Sequence, residues 1–474
     1  MRNHRPGTGW AVSFVLATLG GGCGSVSDGS NHPAPMLVQG GAIGGGHING
    51  YLNVYVTDDD TYAPIAGAAV RVGDGDAVTP CIAATDSTGL ATFDPASCPS
   101  LKGAVTLTAS AAGYATSTAI GVNGANVTTT LRATTRATPP QAKVSGTIAG
   151  WETIPAPAPG HTLIGFVAAS QTENLGDLAN DIAQGMRTVS IAGTALTTTI
   201  AANACVRSAL ADDCNWQLAA RTGPQAHFAI ILDSSDNGTP NDQSDDTTAL
   251  VGWALLTGLN LTDGQTVLNE ALPMVTPANL QPVTATFPPL PAGMTYLTAY
   301  PAIELPNGEG RIPAVLPTLT TTNMMTSVPK VPGATYDLLA TAQATKSAAQ
   351  PASVAWVHGF SPAAGASVPA WQLPPTGITA LGGAYSFVPA PGATVHSVEL
   401  KNTSGSRLWS ITIFDGSRSF ELPALSPDPL AGGGTVTMVV SGLTIPGVDL
   451  TNVQFMQATR KLTALSSDQT TFMP

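Results

Sequence analysis

The densest polar stretch of the chain runs from Asp233 to Asp246 as DSSDNGTPNDQSDD. Carboxylates and amides at alternate positions around a glycine suit Ca2+, a hard cation that takes about six to eight oxygens. Asp233, Asp236, Asn237, Asp242 and Asp245 are the candidate ligands. With Asp233, Ser235 and Asn237 ahead of Gly238, the segment starts as an EF-hand loop does. Its twelfth position is Ser244 where that loop needs a bidentate glutamate, and the residues before it have strand composition. The competing reading is a solvated hairpin loop, because Asp, Asn and Gly make turns without any metal. Asp58-Asp59-Asp60 and the Asp74/Asp76 pair sit at strand ends and read as solvated turns.

Nucleophilic and phosphate chemistry find no motif. The chain has no G-x-S-x-G elbow, no H-E-x-x-H pair and no glycine-rich loop ending in Lys-Ser or Lys-Thr. His32, His47, His161, His227, His358 and His396 are scattered, and none lies two or four residues from another. His227 and His396 fall in strand-like runs and are expected on sheet surfaces. No enzyme is expected from these residues, and no cofactor apart from the calcium reading. A sugar-binding surface would show at Trp151, Trp216, Trp253, Trp356, Trp371 or Trp409, since exposed aromatic faces stack on sugar rings. Trp253 and Trp409, flanked by alternating apolar residues, are expected to point inward. Trp151 and Trp371 lie beside Pro-rich loops and are the candidates for exposure.

The chain counts 18 basic against 30 acidic residues, a net charge of −12, with no cluster of Lys and Arg. A polyanion binder needs such a cluster to displace counterions, so nucleic acid is excluded as a partner. Charged residues are only 10% of the 474, while Gly (50) and Pro (38) are abundant and aromatics are 5%. A disordered chain would be rich in charge and poor in β-branched residues; this composition is the reverse. It is that of a turn-rich, mainly β chain, long enough for about three domains at ~150 residues each. The expected class is a tandem of β-sandwich domains, immunoglobulin-like or transthyretin-like, with one or two short helices in the middle domain.

Arg2 and Arg5 precede the short apolar run Trp10–Leu19, and Gly20-Gly21-Gly22 leads into Cys23. Residues 1–22 have the layout of a secretory signal peptide, and the run is too short to span a bilayer comfortably. Ending on small residues and a cysteine, the segment resembles a bacterial lipoprotein signal, although Leu19 stands one place before the position that family favours. The resemblance implies cleavage before Cys23, acylation of Cys23 and attachment to a membrane by that lipid. With Gly24 rather than Asp following, it implies the outer membrane of the cell envelope. Cleavage without lipidation is the alternative.

Five cysteines are an odd number, and an odd thiol in an exported protein needs an explanation. Lipidation of Cys23 leaves the local pairs Cys81/Cys98 and Cys205/Cys214. Neither pair has the CxxC spacing or the neighbouring histidines of a metal site, so both are expected as disulfides. Cys81–Cys98 is expected to clamp the two ends of one hairpin. Cys205–Cys214 would hold a polar stretch, Val206–Asp213, that has no strand pattern of its own.

Residues 23–47 are rich in Gly, Ser and Pro and read as a lipid-anchored flexible tether. Over 48–133, PIAGAAVRV, TDSTGLATF and LTASAAGY follow one another. Taken in order they resemble the carboxypeptidase regulatory-like domain, a transthyretin-like sandwich whose relatives include carbohydrate-binding modules. The resemblance implies that Asp86 and Gly89 shape a turn and that Phe93 and Tyr114 pack inside; it implies no activity. Residues 134–141 (TTRATPPQ) are a linker, because two consecutive prolines do not fit a central strand.

The β-rich middle domain, 142–345, opens with Lys143–Gly150, and strands are expected at Thr162–Ser170, His227–Asp233, Ala249–Thr257 and Thr295–Tyr300. Leu175, Leu178, Ile182 and Met186 recur at helical spacing behind Thr172. Whether this region is one domain or two is left open by its sequence. Over 350–474, strands and turns alternate every 8–12 residues or so. The order FVPAPGA, LWSI and FELPAL resembles the fibronectin type III-like repeats of bacterial envelope proteins. The function these readings imply is a non-catalytic envelope lipoprotein with a structural, binding or adhesion role and a protein or glycan partner. A carbohydrate-binding envelope protein is the alternative.

Overall fold

The computed structural model describes residues 34–73, 81–99, 101–135, 140–170, 185–191, 193–235, 237, 247–313, 322–345, 350–432 and 434–474. Strand makes up 55% of it and helix 3%, so the tandem β-sandwich class expected from the sequence is the observed one. Among the described residues, apolar side chains gather into four cores.

The first sandwich packs a five-stranded sheet against a twelve-stranded sheet that supplies side chains from both of its ends, Val70 and Leu107 toward one and Leu339, Val354 and Leu465 toward the other. The smaller sheet has the order Val453–Gln454, Ala42–Gly44, Asn126–Leu131, Leu52–Asp58, Leu90–Phe93. Alternation places Leu52, Val54 and Val56 inward at zero exposure, against Val70, Leu107 and Phe93. At the turn that crosses from one sheet to the other, Asp86 Oδ1 accepts hydrogen bonds from Thr88 N, Thr88 Oγ1 and Leu90 N at 2.7–3.0 Å. Gly89 follows with φ +76°, and an added Cβ would sit 2.8 Å from Val56 O. The turn therefore needs glycine there.

The flexible stretch expected over residues 23–47 does not extend over Ala42–Gly44. Ile43 is 2% exposed and lies between Val127 on one side and Val453 on the other. Burying one isoleucine contributes about 1.5–3 kcal/mol, enough to draw a short apolar segment out of a glycine-rich tether. The strand so formed joins the start of the described chain to its last hundred residues.

That joining recurs in the twelve-stranded sheet. Strand Thr116–Val122 of the first sandwich runs parallel to Arg407–Ile413 of the last, with Trp409 opposite Thr116 and Ile413 opposite Ile120. The buried Trp409 donates from Nε1 to Thr118 Oγ1 at 2.9 Å, and Thr118 is bonded in turn to Thr108. Farther along the sheet, Ala352–Val357 pairs with Thr335–Gln343 on one edge and Ala464–Phe472 on the other. The expected divide between residues 345 and 350 falls within this continuous sheet.

The middle region holds two cores. In the first, the sheet containing His161–Ala169 and Gly223–Ser235 faces Gln141–Ala149, Trp216–Arg221 and Thr266–Pro273, around Val144, Trp216 and Ile231. In the second, Leu280–Thr286 and Asn323–Pro329 face Tyr296–Glu304 and Thr335–Gln343, around Val283, Val328 and Leu338. Gly223–Ser235 serves both, with Ala229 and Ile231 in one core and Ala226, Phe228 and Ile230 in the other. The two are also bonded through Ser170, whose Oγ donates to Glu309 O, and through Gly258 N, which donates to Glu309 Oε2 at 3.1 Å.

Among its described residues the middle region holds 3-10 turns at Trp151–Thr153, Pro277–Asn279 and Pro306–Gly308, none of them in the stretch where a helix is expected. The α-helix among the described residues, Phe455–Thr459, lies in the C-terminal region. Leu175, Leu178 and Ile182 lie outside the described residues. Met186 opens a strand, Met186–Ser190, rather than closing a helix. In the last sandwich, Thr376–Leu381, Ala384–Val388 and Ser419–Glu421 cover Val398, Leu400, Trp409 and Met438, with Tyr385 and Phe420 stacked at 5.2 Å.

Candidate functional site

Of the five candidate calcium ligands, Asp233 and Asn237 are described, while Asp236, Asp242 and Asp245 lie outside the described residues. Asp233 lies two residues before the end of the long strand Gly223–Ser235, and both its oxygens lie 3.1–3.2 Å from His161 Nδ1 on the adjacent strand. Asn237 turns with φ +49°, and its N–H donates to Ser235 Oγ at 3.2 Å. Among the described residues, no three His, Cys, Asp or Glu side chains converge as a metal site. Asp58 stabilises its own turn, its Oδ1 accepting from Asp60 N, Thr61 N and Thr61 Oγ1. Cys23, Asp74 and Asp76 lie outside the described residues.

Both disulfides form as paired in the sequence analysis, Cys81–Cys98 and Cys205–Cys214, with Cα separations of 5.5 and 4.2 Å. Their roles differ from those expected. Cys81 stands on the outermost strand of the twelve-stranded sheet, whereas Cys98 follows Leu90–Phe93 of the opposing sheet. The bond therefore ties the two layers together at their open end. Cys205 and Cys214 flank a real hairpin, Ala204–Arg207 paired with Asp212–Asp213, in the stretch read as lacking strand pattern. Two strand residues are too few to show alternation, and the covalent link supplies what their hydrogen bonds cannot. Cys214 Sγ also accepts from Ile148 N, 3.3 Å away in the facing sheet. Replacing Cys81 and Cys98 together by serine is expected to cost about 3 kcal/mol by loop entropy, read as a lower denaturant midpoint.

The histidines carry most of the structure's unforeseen chemistry. His227 is fully buried, not on a sheet surface, with Nδ1 2.6 Å from Glu270 Oε1. Each face of its strand meets a core, so neither face is wet. Glu270 is nearly buried too, a lone charge in the apolar run VLNEALP that could have flagged the pair. His396 is likewise buried, accepting from Ala390 N at 3.2 Å, and burial holds its pKa below the ordinary value.

His358 bridges Asp337 Oδ2 (3.1 Å) and the carbonyl of Leu462 (2.8 Å). The hydrogen bond to Asp337 raises the His358 pKa against the opposing effect of burial. Burial pushes Asp337 up, but His358, Gly359 N–H and Arg311 outweigh it and hold its carboxyl low. At the junction of first and last sandwiches, burial pushes Glu399 up, and Arg407, Lys401 and Arg132 together hold it low.

Trp253 and Trp409 point inward, both at 1% exposure. Trp151 and Trp371, the candidates for exposure, are buried as well, at 4% and 9%. Trp151 Nε1 donates to Asp212 Oδ1 at 3.1 Å, and Arg207 stacks over its ring. Among the described residues no Trp or Tyr is fully exposed, although Trp356 and several tyrosines are half-buried. A cleft of about 290 Å³ opens in the last sandwich between Leu381, Tyr385, Leu422, Asp428, Phe472 and Met473. Asp428 is its one acidic side chain, with the phenol of Tyr385 also in the lining. No helix among the described residues is long and apolar enough to cross a membrane.

No family model matches the chain, and no curated protein matches it either. Solved structures similar to it are found only at low identity and low TM-score. The Bacillus anthracis TIE protein is 9% identical at TM-score 0.15, covering 68% of this chain, which spans about half (49%) of that protein. BcpA, the major pilin subunit of Bacillus cereus, is 12% identical at TM-score 0.15, covering 62% of this chain and 87% of its own. Two B repeat units of the Staphylococcus aureus collagen binding protein are 11% identical at TM-score 0.13, covering 89% of this chain and 99% of theirs. At these values the likenesses carry no argument about the architecture or activity of this chain.

Proposed function

We propose that the chain is a non-catalytic lipoprotein of the cell envelope, anchored through acylated Cys23 and acting as a structural or protein-binding surface element. The observation that carries this reading is the pairing of the other four cysteines into two disulfides. Disulfides of this kind persist in oxidising compartments, and they leave Cys23 as the unpaired fifth sulfur at the end of an export signal. The first sandwich is read as a carboxypeptidase regulatory-like module, supported by the Asp86–Gly89 turn and the buried Phe93. The last is read as a fibronectin type III-like module that braces it. Gly24 after the acylated cysteine supports the outer membrane. The carbohydrate-binding alternative lacks the exposed aromatic pair it needs among the described residues.

The test is Cys23→Ser in the full chain, followed by palmitate labelling and membrane fractionation. Wild type is expected to take up the label and sediment with membranes, and the variant to do neither. Unchanged processing and membrane association in the variant would overturn the lipoprotein reading.

A further inference from the structure

We propose that His358 is a pH-governed latch, an imidazolium that ties residues 455–463 to strand Thr335–Gln343 and releases them locally when it becomes neutral. One ring nitrogen of His358 faces a carboxylate oxygen and the other a backbone carbonyl, and neither of those oxygens can donate. Only the imidazolium carries N–H at both positions. A neutral ring can keep its bond to Asp337 or its bond to Leu462, and it then turns a lone pair on the other acceptor. Asp337 is better provided for, since Gly359 N–H donates to its second oxygen at 2.9 Å and Arg311 Nη2 stands 3.7 Å from the first. The Leu462 carbonyl is therefore the one given up.

The groups around the ring come from every neighbouring element. Asp337 lies on Thr335–Gln343, Arg311 on Arg311–Pro313 and Glu304 on Tyr296–Glu304, where Glu304 takes Arg311 at 3.2 Å. On the latched segment itself, Arg460 and Lys461 are exposed. With the His358 pKa raised above its ordinary 6.5, the latch's contribution is complete below 6.5 and is lost as pH rises through the higher folded-state value. Asp337, held below its ordinary 3.8, contributes above 3.8 and loses its part only as pH falls through its lower folded-state value. The latch is thus closed in mild acid and open in alkali.

The segment it holds has consequences beyond itself. Phe455 N–H donates to Gly41 O at 3.0 Å, the Phe455 ring stacks on Phe414 at 5.8 Å, and Val453–Gln454 pairs with Ala42 and Ile43. Loosening Leu462 frays the support on which the N-terminal strand rests.

Hydrogen exchange on the intact oxidised chain from pH 5 to 9, corrected for the base-catalysed chemical rate, tests this. Protection over 455–463 is expected to fall by about tenfold or more, the factor for one charge-assisted hydrogen bond, with the midpoint of the His358 NMR titration. Peptides from Val436–Thr444 are expected to stay constant. His358→Gln, at a half-buried site, should fold and show a flat profile, and Asp337→Asn should move the midpoint to lower pH. A flat wild-type profile, a step that persists in His358→Gln, or a midpoint apart from the His358 titration would each overturn the latch.

Discussion

A chain ending at residue 345 is expected to lose the first sandwich along with the last, although residues 48–133 are all present. The truncation removes Arg407–Ile413, the parallel partner of Thr116–Val122, and Val453–Gln454, the outer partner of Ala42–Gly44. Leu443, Ile445, Val453, Leu462 and Leu465 leave the first core with it. At about 1.5–3 kcal/mol for each large apolar side chain buried, that loss approaches the roughly 5–15 kcal/mol on which a whole domain depends. The point version is Trp409→Ala, expected to cost about 3–5 kcal/mol. Trp409→Phe should cost less, because it keeps most of the buried area and loses the bond to Thr118. Limited proteolysis and near-ultraviolet dichroism of the truncated chain decide the matter. A cooperative transition and protease resistance over 48–133 would show that the first sandwich stands alone.

Local pattern explains why so much of the β framework was legible and why its closure was not. Strands such as Val395–Lys401 and Arg407–Ile413 announce themselves by alternation, and the Asp86–Gly89 turn by residue types with specific backbone preferences. The disulfides could be paired because each closes a short loop. Nothing local marks the pairing of Thr116–Val122 with Arg407–Ile413, since a parallel ladder between segments nearly three hundred residues apart is set by packing alone. The strand within the glycine-rich tether is hidden for the same reason. Ala42–Gly44 is too short to show a pattern and becomes a strand because two distant edges accept it. The rule that one face of a sheet is wet fails for His227, because Gly223–Ser235 is sandwiched between two cores. Of the candidate metal loop, only Asp233 and Asn237 could be placed, and Asp233 is already engaged by His161.

Removing the Glu270 carboxylate is expected to destabilise the chain by about 3–5 kcal/mol, more than either disulfide. His227 and Glu270 reach each other across the core from the two facing sheets of the first middle sandwich. Both stand where the ladder slips register, between Gln225 and His227 on one strand and between Val267 and Glu270 on the other. Asn269, with φ +59°, takes up the second irregularity. The backbone there is already crowded, since a Cβ on Gly146 would fall 1.9 Å from Glu270 O. Little room exists for the site to relax or to collapse.

In Glu270→Ala, the His227 ring loses its Nδ1 partner while Nε2 already has none among the described contacts, so a polar ring is left unbonded beside Trp216. Glu270→Gln keeps the shape and can still donate to or accept from Nδ1, and should cost only about 1–2 kcal/mol. Replacing both residues with leucine removes the desolvation cost of each, and should recover most of what Glu270→Ala loses. A urea titration of the three variants measures the differences. If Glu270→Ala costs less than about 1 kcal/mol, or the double leucine variant is worse than the single alanine, the pair is not a clamp between the sheets.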